Sequence, residues 1–120
     1  MAENREIGAF GENAAAEYLI SRGMSIIKRN YYCRAGEIDI IARDGEYTVF
    51  VEVKTRKSSN YGTPAEFVDR RKQERIIKTA LYYAGGNDIA MRFDIVEIYY
   101  HINGGDMKAD KVNHIENAFC

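Results

Sequence analysis

Gly36-Glu-Ile-Asp-Ile-Ile-Ala-Arg-Asp-Gly-Glu-Tyr-Thr-Val-Phe-Val-Glu-Val-Lys-Thr-Arg56 is the stretch on which the reading of this chain turns. Asp44-Gly45 marks a two-residue hairpin loop, because both central residues of a type I′ turn need positive φ. The flanks are rich in Ile, Val, Phe and Tyr, as strands are. A two-residue loop at Asp44-Gly45 sets Arg43 opposite Glu46, Ile41 opposite Thr48, Asp39 opposite Phe50 and Glu37 opposite Glu52. Side chains alternate along a strand, so Glu37, Asp39, Phe50, Glu52 and Lys54 are expected on one face. Asp39 then lies diagonal to Glu52, roughly 7–8 Å apart at Cα, close enough for two carboxylates to share an ion.

Like charges facing each other destabilise a hairpin unless water or a cation lies between them. Hard oxygen donors suit Mg²⁺ or Mn²⁺ rather than zinc. A solvated charged face on an edge hairpin gives the same pattern, and both readings stand at this point.

The residues resemble a known pattern. Asp39, followed by Glu52-Val53-Lys54 at the end of a strand, is similar to the bipartite PD-(D/E)xK motif of restriction-endonuclease-like nucleases. The wider run looks like the YraN-like family, bacterial proteins related to archaeal Holliday junction resolvases. The likeness continues through Gly62-Thr-Pro-Ala-Glu66, Lys72, Arg92-Phe-Asp-Ile-Val96 and His114-Ile-Glu-Asn-Ala-Phe119. It implies a restriction-endonuclease-like α/β fold, a mixed sheet flanked by helices in the order α-β-β-β-α-β-β. It implies a metal-dependent endonuclease acting on DNA, with branched or repair intermediates as candidate substrates. Asp39 and Glu52 would hold Mg²⁺ or Mn²⁺ with the Val53 carbonyl, and Glu12 would contribute from the first helix. Lys54 would be catalytic, and Lys72 and Arg56 would hold phosphate oxygens. The usual Pro before the Asp is absent. Glu37-Ile38 stands there, leaving Glu37 as an extra ligand or an outer group.

Composition sets the frame. A chain of 120 residues is one domain and buries a core without disulfides. Hydrophobic residues make up 46% and charged residues 29%, ordinary for a globular protein. Net charge is −1, and pI is about 6.1, which argues against coating nucleic acid by bulk charge but leaves room for a local basic patch. Glu3, Glu6 and Glu12 occupy the region where a signal peptide needs an apolar run, and no segment has the apolar length of a membrane span. Cys33 and Cys120 are the only cysteines, so the expected setting is the reducing cytoplasm, with no membrane partner.

The flanking segments read as follows. Ile7, Phe10, Gly11, Ala14 and Tyr18 recur at helical spacing, which predicts a helix over 4–22 with Gly23 as its left-handed cap. Glu12 falls near the opposite side with Gly8, Ala15, Ala16 and Leu19, and Glu17 points to the core side. A strand is expected over 24–30 and a connection over 31–35. There Tyr31, Tyr32 and Arg34 either stack on unpaired bases or cover a core edge. A polar loop is expected over 55–63. Thr63-Pro-Ala-Glu66 is a capping box that predicts a helix to Ala84, stopped by Gly85-Gly86. Ala65, Val68, Ile76, Ala80 and Tyr83 form its stripe, with Lys72 inside it. Arg70, Arg71, Arg75 and Lys78 form a basic cluster that binds phosphate or is simply solvated. Strands are expected over 89–102 and 107–114, with a closing turn over 115–119. The second helix is expected to cross between parallel strands. His101 and His114 lack the spacing of a zinc site and read as structural.

Two other readings remain. One is a non-catalytic nucleic-acid- or partner-binding module that keeps a nuclease fold. The other is a subunit whose site a second copy completes, since relatives with this fold often dimerise.

Overall fold

Val49, Phe50 and Val51 are all buried, so the strand carrying them is apolar on both faces and belongs in the middle of a sheet. The computed structural model describes residues 4–61 and 68–119. They form α1 (Asn4–Ser21), β1 (Ser25–Cys33), β2 (Gly36–Asp44), β3 (Tyr47–Lys57), α2 (Arg70–Ala84), β4 (Met91–Asn103) and β5 (Asp106–Ile115), with a 3₁₀ turn at Ser58–Asn60. The five strands lie side by side in chain order. Neighbours are antiparallel except β3 and β4, which α2 joins as a parallel pair. This is a mixed α/β fold, and the expected crossover by the second helix is borne out.

Each face of the sheet carries its own core. On one face Ala15, Ala16 and Leu19 of α1 pack on Ile40, Ala42, Val49, Val51, Val96 and Ile98. On the other, Ile76 and Ala80 of α2 pack on Ile38, Ile41, Phe50 and Phe93. The buried face of α1 is Gly11, Ala15, Ala16 and Leu19. The expected stripe is therefore displaced: Phe10, Ala14 and Tyr18 flank the core, and Glu17 is exposed. Small residues decide this, because they let the helix backbone approach the sheet closely. A Cβ on Gly11 would lie 1.8 Å from the Thr55 hydroxyl oxygen. Gly23 (φ +91°) closes α1 in a Schellman arrangement, with Met24 N–H donating to Leu19 C=O and Gly23 N–H to Ile20 C=O.

Four expectations are corrected. The hairpin turn is Gly45-Glu46 rather than Asp44-Gly45, and Asp44 pairs with Tyr47. Gly45 alone carries positive φ there (+59°), the residue pattern of a type II′ turn, while Arg92 holds the Asp44 carboxylate at 2.9 Å in the ladder. The register thus moves by two, parity is kept, and Ile41 faces Phe50. β1 runs on to Cys33, taking in Tyr31 and Tyr32, and β3 runs on to Lys57, taking in the start of the expected loop. The second helix begins at Arg70, because Val68 and Asp69 are not helical and Asp69 caps it, accepting from Lys72 N–H at 2.8 Å. Lys72 is accordingly exposed beside the buried Ile76–Ala80 stripe. The capping box Thr63–Glu66, Ala65 and Cys120 lie outside the described residues.

The histidines are structural, as expected. His114 Nε2 lies 2.8 Å from Asp94 and its Nδ1 3.2 Å from the Tyr18 hydroxyl. Asp94 is fully buried and also accepts two bonds from Arg92 and one from Asn117 N–H. Burial would raise its pKa, but the bonds from His114, Arg92 and Asn117 prevail and hold it below the usual carboxylate value. The cluster ties α1, β4, β5 and the hairpin end together. His101 bonds to Asp110 at 2.7 Å on the surface.

Candidate functional site

Strand alternation breaks at Asp39, and the site grows from that break. Ile40 packs in the α1-side core, yet Ile38, two residues away, packs in the α2-side core. The pairing of β1 with β2 skips this point: Arg29 meets Ile40 and Tyr31 meets Ile38. The residue between, Asn30, adopts a left-handed conformation with φ +52°. Asparagine tolerates that region better than most residues. The ribbon kinks, and the pairing of β2 with β3 ends at Ile40–Val51. Beyond it the strands part, and the Asp39 carboxylate fills the gap by accepting from Val53 N–H at 2.8 Å.

The gap opens into a cleft of about 430 Å³, walled by Tyr32, Cys33, Gly36, Glu37, Asp39, Glu52, Lys72, Arg75 and Ile76. Continued by one step, the β2–β3 register sets Asp39 opposite Glu52, not diagonal to it. The Asp39 carboxyl is pushed up to about 7. Burial is the main cause, followed by the Glu52 charge, with Glu12 and Glu37 adding to it and the Val53 N–H opposing. Glu52 is drawn across the cleft to the Lys72 ammonium at 2.6 Å, and that bond raises the pKa of Lys72.

Of the residues singled out in sequence, Glu37, Asp39, Glu52 and Lys72 meet in the cleft. Val53 joins them through its N–H bond to Asp39. Glu12 does not line the cleft. Its Oε1 is buried without a hydrogen bond, 3.6 Å from Arg29, near enough for its charge to act on Asp39. Lys54 shares the Glu52 side of β3 by alternation but is not part of the cleft wall. Its neighbour in register on β4 is Glu97. Arg56 lies farther along, its Nε 3.1 Å from the carboxylate of buried Glu97 as an ion pair, while the other Glu97 oxygen accepts from Asn113 at 2.7 Å. Arg70 and Arg71 are exposed in the first turn of α2.

The donor set fits a hard divalent ion. Three carboxylates, Glu37, Asp39 and Glu52, face one cleft, and a fourth, Glu12, carries an orphaned buried oxygen nearby. Among the described residues no three acidic, His or Cys side chains gather closely enough to enclose an ion by themselves. Mg²⁺ commonly binds through one or two carboxylates and completes its shell with water and substrate phosphate.

The same stretch of chain carries a family signature: the model of "Uncharacterised protein family UPF0102" matches residues 11–98. The chain belongs to the UPF0102 family. It is 45% identical over 118 residues to a UPF0102 protein of Caldanaerobacter subterraneus subsp. tengcongensis, covering 96% of this chain and 95% of that one. It is 44% identical over 119 residues to one from Caldicellulosiruptor bescii, covering 96% and 98%. A relative from Clostridium botulinum strain 657 is 42% identical over 120 residues, covering 97% and 95%. The UPF0102 match spans all the cleft residues and stops at Ile98, before β5. Among the described residues no helix of this UPF0102 chain is long and apolar enough to cross a membrane.

Sequence reasoning missed Cys33 and Glu97. Glu97 sits in an apolar run, Ile95–Tyr100, where a lone carboxylate was the available signal. Tyr31 and Tyr32 differ in setting. Tyr31 packs edge-on against Tyr83 with ring centroids 5.3 Å apart, while Tyr32 is 76% exposed on the cleft wall.

Proposed function

We propose that this protein is a Mg²⁺- or Mn²⁺-dependent phosphodiesterase acting on DNA, of the restriction-endonuclease-like class. The observation that carries the reading is the crowding of carboxylates at Asp39. Glu37 and Glu52 line one cleft with it, the buried Glu12 oxygen lies just outside, and Lys72 and Arg75 stand on the other wall. Burial and the three carboxylate charges together push the Asp39 carboxyl up. Such an arrangement costs stability and is relieved by a divalent ion.

Asp39 and Glu52 would hold the ion, with the Val53 carbonyl beside them and Glu12 acting through water. A bound ion polarises the scissile phosphate and lowers the pKa of a water. The Asp39–Val53 bond fixes one carboxylate oxygen and leaves the other for the ion. Lys54, two residues from Glu52 on the same strand side, would orient the attacking water or stabilise charge on the phosphate. Lys72, already at the cleft, would pass from Glu52 to a phosphate oxygen. Arg70, Arg71 and Lys72 crowd the first turn of α2, which Asp69 caps. Three cations against that one carboxylate would favour a phosphate backbone passing that end.

The test is Mg²⁺- or Mn²⁺-dependent cleavage of branched, flapped and single-stranded DNA. Wild type should cut at least one of these, and Asp39→Ala should fall to background. Identical behaviour of the two proteins on every substrate contradicts the reading.

A second reading, a DNA-binding module without catalysis, draws on one observation: Lys54 is outside the cleft wall. It predicts salt-sensitive binding that survives Asp39→Ala, Glu52→Ala and Lys54→Ala but not loss of Arg70, Arg71 and Lys72.

A further inference from the structure

We infer that the end of the cleft walled by Tyr32, Glu37, Gly36 and Arg75 is a subsite for one unpaired nucleotide, with its base stacked on Tyr32 and read by Glu37. This rests on the phosphodiesterase reading and names its substrate: a strand with at least one unpaired residue beside the cut.

Tyr32 is the first reason. It is 76% exposed on a cleft wall, whereas the adjacent Tyr31 is engaged by Tyr83. Its backbone is fixed, because Tyr32 pairs with Glu37 and Cys33 with Gly36 across β1 and β2. An exposed ring on a rigid ribbon is a stacking platform that loses little freedom on binding.

Glu37 is the second. It faces Tyr32 in register, is exposed, and lines the same cleft. A carboxylate there repels phosphate, so the group that lies on Tyr32 must be neutral. The exocyclic amino group of a base is a donor that such a carboxylate accepts. Cytosine, adenine and guanine carry one, and thymine does not.

Arg75 and Gly36 are the third. A Cβ on Gly36 would lie 2.8 Å from the Thr79 hydroxyl and 3.0 Å from Arg75 Cγ, so the bare glycine lets α2 seat its arginine stem against the β1–β2 connection. Arg75 therefore stands at the cleft wall, where the flanking phosphate of a stacked nucleotide would pass. The cleft, about 430 Å³, is large enough for a ligand the size of one nucleotide.

The test is read by binding, in Ca²⁺ so that cleavage plays no part. The probes are short single-stranded oligonucleotides with 2-aminopurine at successive positions, the same sequence as duplex, and oligo(dC) against oligo(dT). Wild type and Tyr32→Phe should quench 2-aminopurine. Tyr32→Ala should lose the quench and bind single strands about tenfold more weakly, with duplex binding unchanged. Oligo(dC) should bind about fivefold tighter than oligo(dT), and Glu37→Gln should shrink that ratio. The subsite is overturned if wild type does not bind single strands, or if Tyr32→Ala binds them as wild type does. It is also overturned if that variant loses single-strand and duplex binding equally. Equal binding of oligo(dC) and oligo(dT) by wild type overturns the part given to Glu37. Absence of cleavage by wild type overturns the phosphodiesterase reading while leaving the quench as it stands.

Discussion

Replacing Asp39 by asparagine should make the protein more stable at alkaline pH, and the size of the gain follows from the cleft. The Asp39 carboxyl is pushed from 3.8 to about 7 by burial and by the charge of Glu52. The native state therefore holds this proton more tightly than the unfolded chain does. The group favours folding below about pH 4, and that contribution is lost as pH rises through about 7. At 1.36 kcal/mol for each unit, the ionised carboxylate costs the native state about 4 kcal/mol above pH 7. The amide of the Asp39→Asn variant cannot ionise, so it escapes that cost. It keeps an acceptor for Val53 N–H, whose bond to the carboxylate already lowers the Asp39 pKa and is included in that shift. The gain is about 4 kcal/mol near pH 8, or about 15 °C in Tm for a chain of this length. The assay is thermal and urea denaturation of wild type and Asp39→Asn in chelator, followed by circular dichroism from about pH 5 to 8. The gain should fall steadily on acidification, to less than half its pH 8 size by about pH 5, because the native carboxyl takes up its proton while the unfolded chain stays ionised. A variant no more stable than wild type at pH 8, or a difference independent of pH, refutes the reasoning.

Other outcomes follow from the same geometry. The Lys72 ammonium occupies Glu52 at 2.6 Å and competes with a divalent ion for it. Lys72→Met should therefore tighten Mn²⁺ binding about threefold by calorimetry while weakening DNA binding in gel shift. A Cβ at Gly11 meets the Thr55 hydroxyl at 1.8 Å, so Gly11→Ala should lose about 2 kcal/mol in urea unfolding. Part of that loss should return in the Thr55→Ala background. His114→Ala removes one bond from fully buried Asp94 and the partner of the Tyr18 hydroxyl, for a loss of about 2–3 kcal/mol. Asp94 sits below its ordinary pKa, so its contribution is present above the unfolded value and lost on acidification. The His114→Ala deficit should accordingly be larger at neutral than at strongly acid pH.

Much of this was legible in the chain. The hairpin, the crossover helix and the two-residue spacing of Glu52 and Lys54 follow from turn chemistry and alternation, which are local. The Asp39–Glu52 juxtaposition was also expected, but it arises differently. Alternation alone sets Asp39 on a flat ribbon, whereas the kink at Asn30 turns it into the gap between β2 and β3. An asparagine in a strand is a weak signal, and its left-handed φ cannot be read from sequence. The turn slipped by one position because Gly45 serves a type II′ turn as readily as a type I′, and Arg92, distant in sequence, holds Asp44 in the ladder. The α1 face was placed correctly at Gly11 but misjudged beyond it, because large residues dominated the periodicity, while Ala15 and Ala16 are buried through close approach. Glu97 and its partners Arg56 and Asn113 come from three strands, and nothing local marks them as one group.

Titration of Mn²⁺ into wild type, Asp39→Asn and Glu52→Gln by calorimetry, with folding checked by circular dichroism, bears on the main claim most directly. Wild type should bind the ion, both neutral variants should lose that heat, and thermal stability should rise with added Mn²⁺ only in wild type. Equal Mn²⁺ binding by all three folded proteins, or none by wild type with DNA present, would mean that the two carboxylates are not a cation site.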